Sequence, residues 1–104
     1  MNNIYGSKTA IITGSSRGIG AATAEYFAKN NYNVVINYVN SKEQAEKLST
    51  ELETKYNIKT LVVKCDISKE DEVFNLLQLT KQTFSTIDIL INNAGIAIDT
   101  TLED

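Results

Sequence analysis

Four apolar runs separated by three amphipathic stretches set the rhythm of the chain. Ala10-Ile11-Ile12, Val34-Val35-Ile36, residues 60–65 and residues 87–91 read as strands covered on both faces, since a half-covered strand would alternate apolar with polar positions. Between the first two runs, residues 19–29 place Ile19, Ala22, Thr23, Tyr26 and Phe27 on one stripe, which predicts a helix lying close to a sheet through its small residues. The cluster Asn30-Asn31-Tyr32-Asn33 ends it. Ser41, with Gln44 three residues on, predicts a capping box opening a second helix. Ala45, Leu48, Leu52 and Tyr56 form its apolar face, and Asn57 closes it. Ser68, with Asp71 three residues later, predicts the start of a third helix with Val73, Phe74, Leu77 and Phe84 inward. This alternation predicts an α/β fold with a parallel sheet. Right-handed crossovers and a reversal of winding after the third strand give the order 3-2-1-4, one half of a doubly wound arrangement. Two helices then cover one face and one the other, leaving the fourth strand as an open edge. Marginal stability and a tendency to associate follow.

The junction between the first strand and first helix is the most informative stretch. Gly14, Gly18 and Gly20 permit a sharp turn and the close approach of a bulky partner. A helix starting near Ile19 aims its free N–H groups and positive dipole end at that partner, and a pyrophosphate suits both. The spacing is G-x-x-x-G-x-G. It is neither G-x-G-x-x-G nor the G-x-x-x-x-G-K-[ST] loop, whose lysine is missing. Taken alone, three glycines are also compatible with a plain tight connection.

In open parallel sheets ligands bind at the carboxyl ends of the strands where the winding reverses. At the end of the second strand an acid would accept hydrogen bonds from a free ribose 2′-hydroxyl and repel a 2′-phosphate. Asn37 and Tyr38 stand there instead. Arg17 offers a guanidinium fork from the first turn, with Ser41 and Lys42 opposite. The combination favours NADP(H) over NAD(H).

Composition narrows the alternatives. The 104 residues make one domain at most, residues 1–104, able to bury roughly two thirds of the unfolded surface. A net charge of −3, with lysines scattered among acids, provides no basic stripe, so neither nucleic acid nor a membrane is an expected partner. With no histidine and a single cysteine there is no disulfide framework, no ordinary zinc site and no Ser-His or Cys-His pair. Cys65 reads as a small buried residue at a strand end. No signal-like core or long apolar run occurs, which points to a cytoplasmic protein.

The segment Thr13-Gly14-Ser15-Ser16-Arg17-Gly18-Ile19-Gly20, read as Thr-Gly-x-x-x-Gly-Ile-Gly, resembles the cofactor-binding signature of the short-chain dehydrogenase/reductase family. Asn92-Asn93-Ala94-Gly95 resembles the family's Asn-Asn-Ala-Gly motif after the fourth strand, and Asp66-Ile67 its adenine-side pair. With Val-Val-Ile-Asn-Tyr and Cys-Asp-Ile-Ser, these segments most resemble bacterial β-ketoacyl-acyl-carrier-protein reductases. The resemblance covers essentially the whole chain but only the first half of such an enzyme. It implies a Rossmann-type NADP(H)-binding half-domain. Asp66 would meet the adenine amino group, Ile67 the adenine ring, and Asn93, Ala94 and Gly95 the ribose side, with the asparagines tying adjoining strands. It further implies hydride transfer from NADPH to a β-ketoacyl thioester, in a full-length form that is a homo-oligomer.

The family's catalytic serine, its Tyr-x-x-x-Lys pair and a further asparagine belong to segments beyond the fourth strand, and no counterpart follows here. Tyr38 and Lys42 have the Tyr-x-x-x-Lys spacing but fall at the adenosine side, too far from a nicotinamide for proton donation. The chain alone is therefore expected to be inactive, and the run after Ile96 reads as cut rather than finished. Two other readings share the glycine turn. One is a stand-alone module that senses or sequesters a dinucleotide. The other is an S-adenosylmethionine domain, against which the missing acid at the end of the second strand counts.

Overall fold

The computed structural model describes residues 8–16 and 18–93. Seven elements alternate along the chain: β1 (Lys8–Ile12), α1 (Gly18–Lys29), β2 (Tyr32–Tyr38), α2 (Lys42–Tyr56), β3 (Thr60–Lys64), α3 (Glu70–Phe84) and β4 (Ile89–Ile91). The four strands form one parallel sheet in the order β3-β2-β1-β4, as the alternation predicts. In register, Ala10 lies beside Val34 and Ile89, and Ile12 beside Ile36 and Ile91.

The alternating directions of strand side chains divide the core into two layers. Ala10, Ile12, Val34 and Ile36 point toward α1 and α2 and pack with Ala24, Ala28, Ala45, Leu52 and Ile58. Ile11, Val35, Val63 and Cys65 point the other way and meet Leu76, with Val73, Leu77, Leu79 and Phe84 of α3 around them. β1 and β2 are thus enclosed on both sides, which is why their central residues form unbroken apolar runs.

The inner face of α1 differs from the predicted stripe. Gly20, Ala24 and Ala28 are buried, while Ile19 is 77% and Tyr26 61% exposed. These three lie four apart on one helical face, and their small size lets the helix backbone settle against β1 and β2. A larger residue there would hold the helix off the sheet. Phe27 is partly buried, stacked edge-on against Tyr32 with ring centroids 5.0 Å apart. In α3 the same correction applies to Phe74, 63% exposed, whereas Leu76 is buried. The face predicted for α2 holds in full.

The helix ends follow local chemistry. Asn31, Asn57 and Ser85 all adopt positive φ, a conformation that asparagine tolerates well. Ser41 precedes α2 without a side-chain capping hydrogen bond, so the predicted capping box is not made. Ser68 does not cap α3 either. That helix begins at Glu70 after Lys69, with Glu70, Asp71 and Glu72 in its first turn, where acids complement the helix dipole.

Candidate functional site

At the carboxyl edge of β1, residues 13–16 turn away from the sheet and lead into α1. Gly14 (φ 62°) and Gly18 (φ 64°) both occupy the left-handed region, which a side chain disfavours. Gly20 serves a different purpose. A Cβ placed on it would collide with the Gly14 carbonyl oxygen and lie 2.8 Å from Ser15 Cα. The sequence suggests that the glycines make room for a ligand; at Gly20 the room is taken by the chain itself, folded back on the first turn of α1.

A hydrogen-bonded brace holds this turn from both sides. On the β4 side, the Thr13 amide donates to Ile91 O at 3.0 Å. The Thr13 hydroxyl accepts the Asn93 amide at 2.7 Å and directs its proton toward Asn92 Oδ1 (3.1 Å) and Ile91 O (3.3 Å). On the β2 side, Ser15 Oγ accepts the Asn37 amide at 3.0 Å while the Ser15 amide donates to Asn37 O at 3.1 Å. Asn37 Oδ1 accepts the Gly14 amide at 2.9 Å, and its Nδ2 donates to Cys65 O at 2.9 Å. Thr13, Ser15 and Asn37 are all buried, Asn37 to 1% exposure. The side chain of Asn37, expected beside a 2′-phosphate, faces inward, with both ends of its amide engaged inside the protein. Tyr38, the next residue, is half-buried at the strand end and packs on the opposite layer with α1 and α2.

β3 brings Asp66 and Ile67 to the same edge. Asp66 Oδ1 accepts both the Ser68 hydroxyl (2.7 Å) and the Ser68 amide (3.0 Å). These bonds, the hydroxyl's first, hold the Asp66 carboxyl below its ordinary value. Glu72 reaches back from α3 to accept the Asp66 amide at 2.8 Å. Cys65 is buried, and its thiol is pushed up by that burial and then by the charges of Glu72 and Asp66. Each of these disfavours the thiolate, in keeping with its reading as a packing residue.

Two hollows adjoin the turn. One of about 180 Å³ is lined by Thr13, Ile67, Val73, Leu76, Leu77, Leu90 and Asn92, an apolar recess under the ends of β1 and β4. The other, about 260 Å³, lies between Ser16 and Ala21 on one side and Gln44, Lys47, Leu48 and Glu51 of α2 on the other. Lys47 rather than Lys42 lines it. A larger hollow of about 420 Å³ between α1 and α2, near Glu25 and Lys55, is away from the turn. Ser16, Tyr38, Ser41, Asp66, Ile67 and Asn93 are all half-buried, and Gly18 and Ile19 are exposed. Arg17, Ala94 and Gly95 lie outside the described residues.

The family model described as short chain dehydrogenase matches residues 8–104, which include this turn and sheet. The chain belongs to the short-chain dehydrogenase family. A 3-oxoacyl-[acyl-carrier-protein] reductase FabG of Staphylococcus epidermidis is 38% identical over 96 residues, which are 92% of this chain and 39% of that protein. Tropinone reductase-like 2 of Erythroxylum coca is 46% identical over 89 residues, 86% of this chain and 30% of that one. Among solved structures, a dehydrogenase/reductase from Sinorhizobium meliloti superposes with a TM-score of 0.82 at 34% identity, over 88% of this chain and 36% of that chain. An alcohol dehydrogenase from Thermococcus sibiricus, complexed with 5-hydroxy-NADP, gives 0.79 at 32% identity over 85% and 37%. The chain spans less than two fifths of the length of these relatives.

In this short-chain dehydrogenase chain, the structure brings most of the expected residues to one edge and divides them into two groups. Thr13, Ser15, Asn37 and Gly20 build the turn from beneath, and the half-buried and exposed residues surround it. Sequence reasoning missed Glu72, whose only signal was an acid in the first turn of a helix six residues after Asp66. It also missed the pairing of Asn37 with Gly14 and Cys65, which no local pattern announces. Among the described residues there is no cluster of three or more His, Cys, Asp or Glu side chains able to hold a metal. No helix among them is long and apolar enough to cross a membrane.

Proposed function

We propose that the chain is the NADP(H)-binding part of a short-chain oxidoreductase whose complete form reduces a β-ketoacyl thioester, carried on acyl carrier protein or coenzyme A, by hydride transfer from NADPH. The observation that carries this reading is the turn itself: two glycines at positive φ and a third clamped beneath them, at the carboxyl end of β1 between β2 and β4. Amide groups at the start of α1 and the positive end of its dipole suit a pyrophosphate there. In this arrangement Asp66 and Ile67 flank the adenine, Asn93, Ala94 and Gly95 the ribose of the nicotinamide half, and Arg17, Ser16, Tyr38 and Ser41 surround the 2′-phosphate. Similarity to the Staphylococcus reductase supports the substrate class.

The chain alone does not catalyse in this reading. Tyr38 ends β2 and Lys42 begins α2, so the local Tyr-x-x-x-Lys spacing sits across β1 from the edge where β4 ends. A serine and a second such pair are supplied by further polypeptide in the complete form, which assembles as a homo-oligomer in the cytoplasm.

The test is thermal unfolding with NADPH, NADH and S-adenosylmethionine. A ligand at 100 times its dissociation constant stabilises by about 2.7 kcal/mol, so NADPH should raise the midpoint most and S-adenosylmethionine not at all. Arg17→Glu should weaken NADPH and spare NADH. A shift with S-adenosylmethionine alone, or with none of the three, would remove the dinucleotide assignment. Steady NADPH oxidation by this chain with a ketoester would refute its inactivity.

A further inference from the structure

The Asn37 side chain joins the glycine turn to the end of β3. Its Oδ1 receives the Gly14 amide, and its Nδ2 reaches Cys65 O at 2.9 Å and Val63 O at 3.4 Å. Its main chain is paired twice with Ser15. Gly14 opens the glycine turn, and Cys65 immediately precedes Asp66. Three segments that are 23 and 28 residues from one another in sequence are thereby held to a single amide group.

The chemistry of the position is narrow. One end of the side chain must accept and the other must donate, both in a place closed to water. Aspartate would still accept from Gly14 but would set an oxygen against the carbonyls of Val63 and Cys65. An apolar isostere would take the side-chain partner from the Gly14 N–H and from the Cys65 carbonyl. An amide meets both demands, and glutamine is a methylene too long for the same span.

We propose that Asn37 is a positioning residue for the dinucleotide. It fixes the distance between the turn that receives the pyrophosphate and the strand end that receives the adenine. The inference rests on the dinucleotide reading of the turn and assigns Asn37 a role with no ligand contact. Because the pyrophosphate and adenine are common to NADPH and NADH, loss of the brace weakens both alike. A residue touching the 2′-phosphate would affect NADPH alone.

The experiment compares wild type, Asn37→Ala and Asn37→Asp by titration with NADPH and with NADH, and follows the Gly14 amide by NMR hydrogen exchange in the ligand-free chain. Both substitutions should weaken both dinucleotides by roughly 10-fold, with their ratio unchanged. The Gly14 amide should exchange faster in the alanine variant and stay protected in the aspartate variant, which keeps the acceptor. Weakening of NADPH alone would overturn the proposal. So would unaltered affinities in a variant whose Gly14 amide has lost protection, since the brace would then serve the fold only. If Asn37→Ala does not fold, Asn37→Asp, which keeps the bond from Gly14 and loses the one to Cys65, carries the comparison alone. Failure of wild type to bind either dinucleotide would instead overturn the reading of the turn, and this proposal with it.

Discussion

Replacing Gly20 by alanine reverses sign according to which effect governs the position. Within a helix, alanine is favoured over glycine by about 1 kcal/mol, so an ordinary helical glycine would gain stability. The surroundings of Gly20 dictate the opposite. The added methyl would overlap the Gly14 carbonyl oxygen, approach Ser15 Cα to 2.8 Å and approach Asn93 Nδ2 to 2.9 Å. Asn93 can rotate aside, but the other two are main chain, and relieving them means pulling the turn off α1 against the bonds of Ser15 and Gly14 to Asn37. Overpacking of well-filled sites costs about 1–3 kcal/mol. Main-chain obstruction puts Gly20→Ala near the top, about 3 kcal/mol, which leaves a net loss of about 2 kcal/mol after the gain in propensity. Urea unfolding followed by far-ultraviolet circular dichroism reads this directly: with a slope of about 2 kcal/mol per molar, the midpoint should fall by about 1 M. An unchanged or higher midpoint would refute the reasoning, since it would mean that the turn yields freely.

Leu52→Ala should cost about 3 kcal/mol in the same assay, because Leu52 is 1% exposed between α2 and the sheet. Phe74→Ala should cost less than about 1 kcal/mol, as its ring is largely in solvent; a larger loss would mean that this face is covered in solution. Ser68→Ala should raise the Asp66 carboxyl toward its ordinary value, measured by carbon NMR titration, because the Ser68 hydroxyl is the foremost cause of its lowering. The sign for stability follows from that direction. A carboxyl lowered by folding stabilises above its unfolded value, and the contribution disappears as pH falls through the lower folded value. An Asp66 titration that does not move in Ser68→Ala would contradict the assignment.

Much of the molecule was legible from local pattern. Apolar runs bounded by turn residues identify strands enclosed on both sides, and Asn57 marks a helix end at which a left-handed residue is tolerated. The sheet order followed from the alternation and a reversal of winding, and the glycine spacing located the turn. Certain side chains were misassigned for a common reason. A helical stripe of Ile19, Tyr26 and Phe27 and one of Gly20, Ala24 and Ala28 are both periodic. Periodicity describes a face but not its distance from a neighbour.

Where strands, helices and the glycine turn fall could be read locally, because those depend on residues within a turn or two of one another. Packing in three dimensions is what lines α1's inner face with small residues rather than large ones, folds the chain itself against Gly20, and joins Asn37 to Gly14 and Cys65. Each of these depends on packing distance or on hydrogen bonds between segments far apart along the chain, such as Gly14 with Asn37 and Thr13 with Asn93. Such bonds leave no periodic trace, since the partners meet only after the sheet has formed.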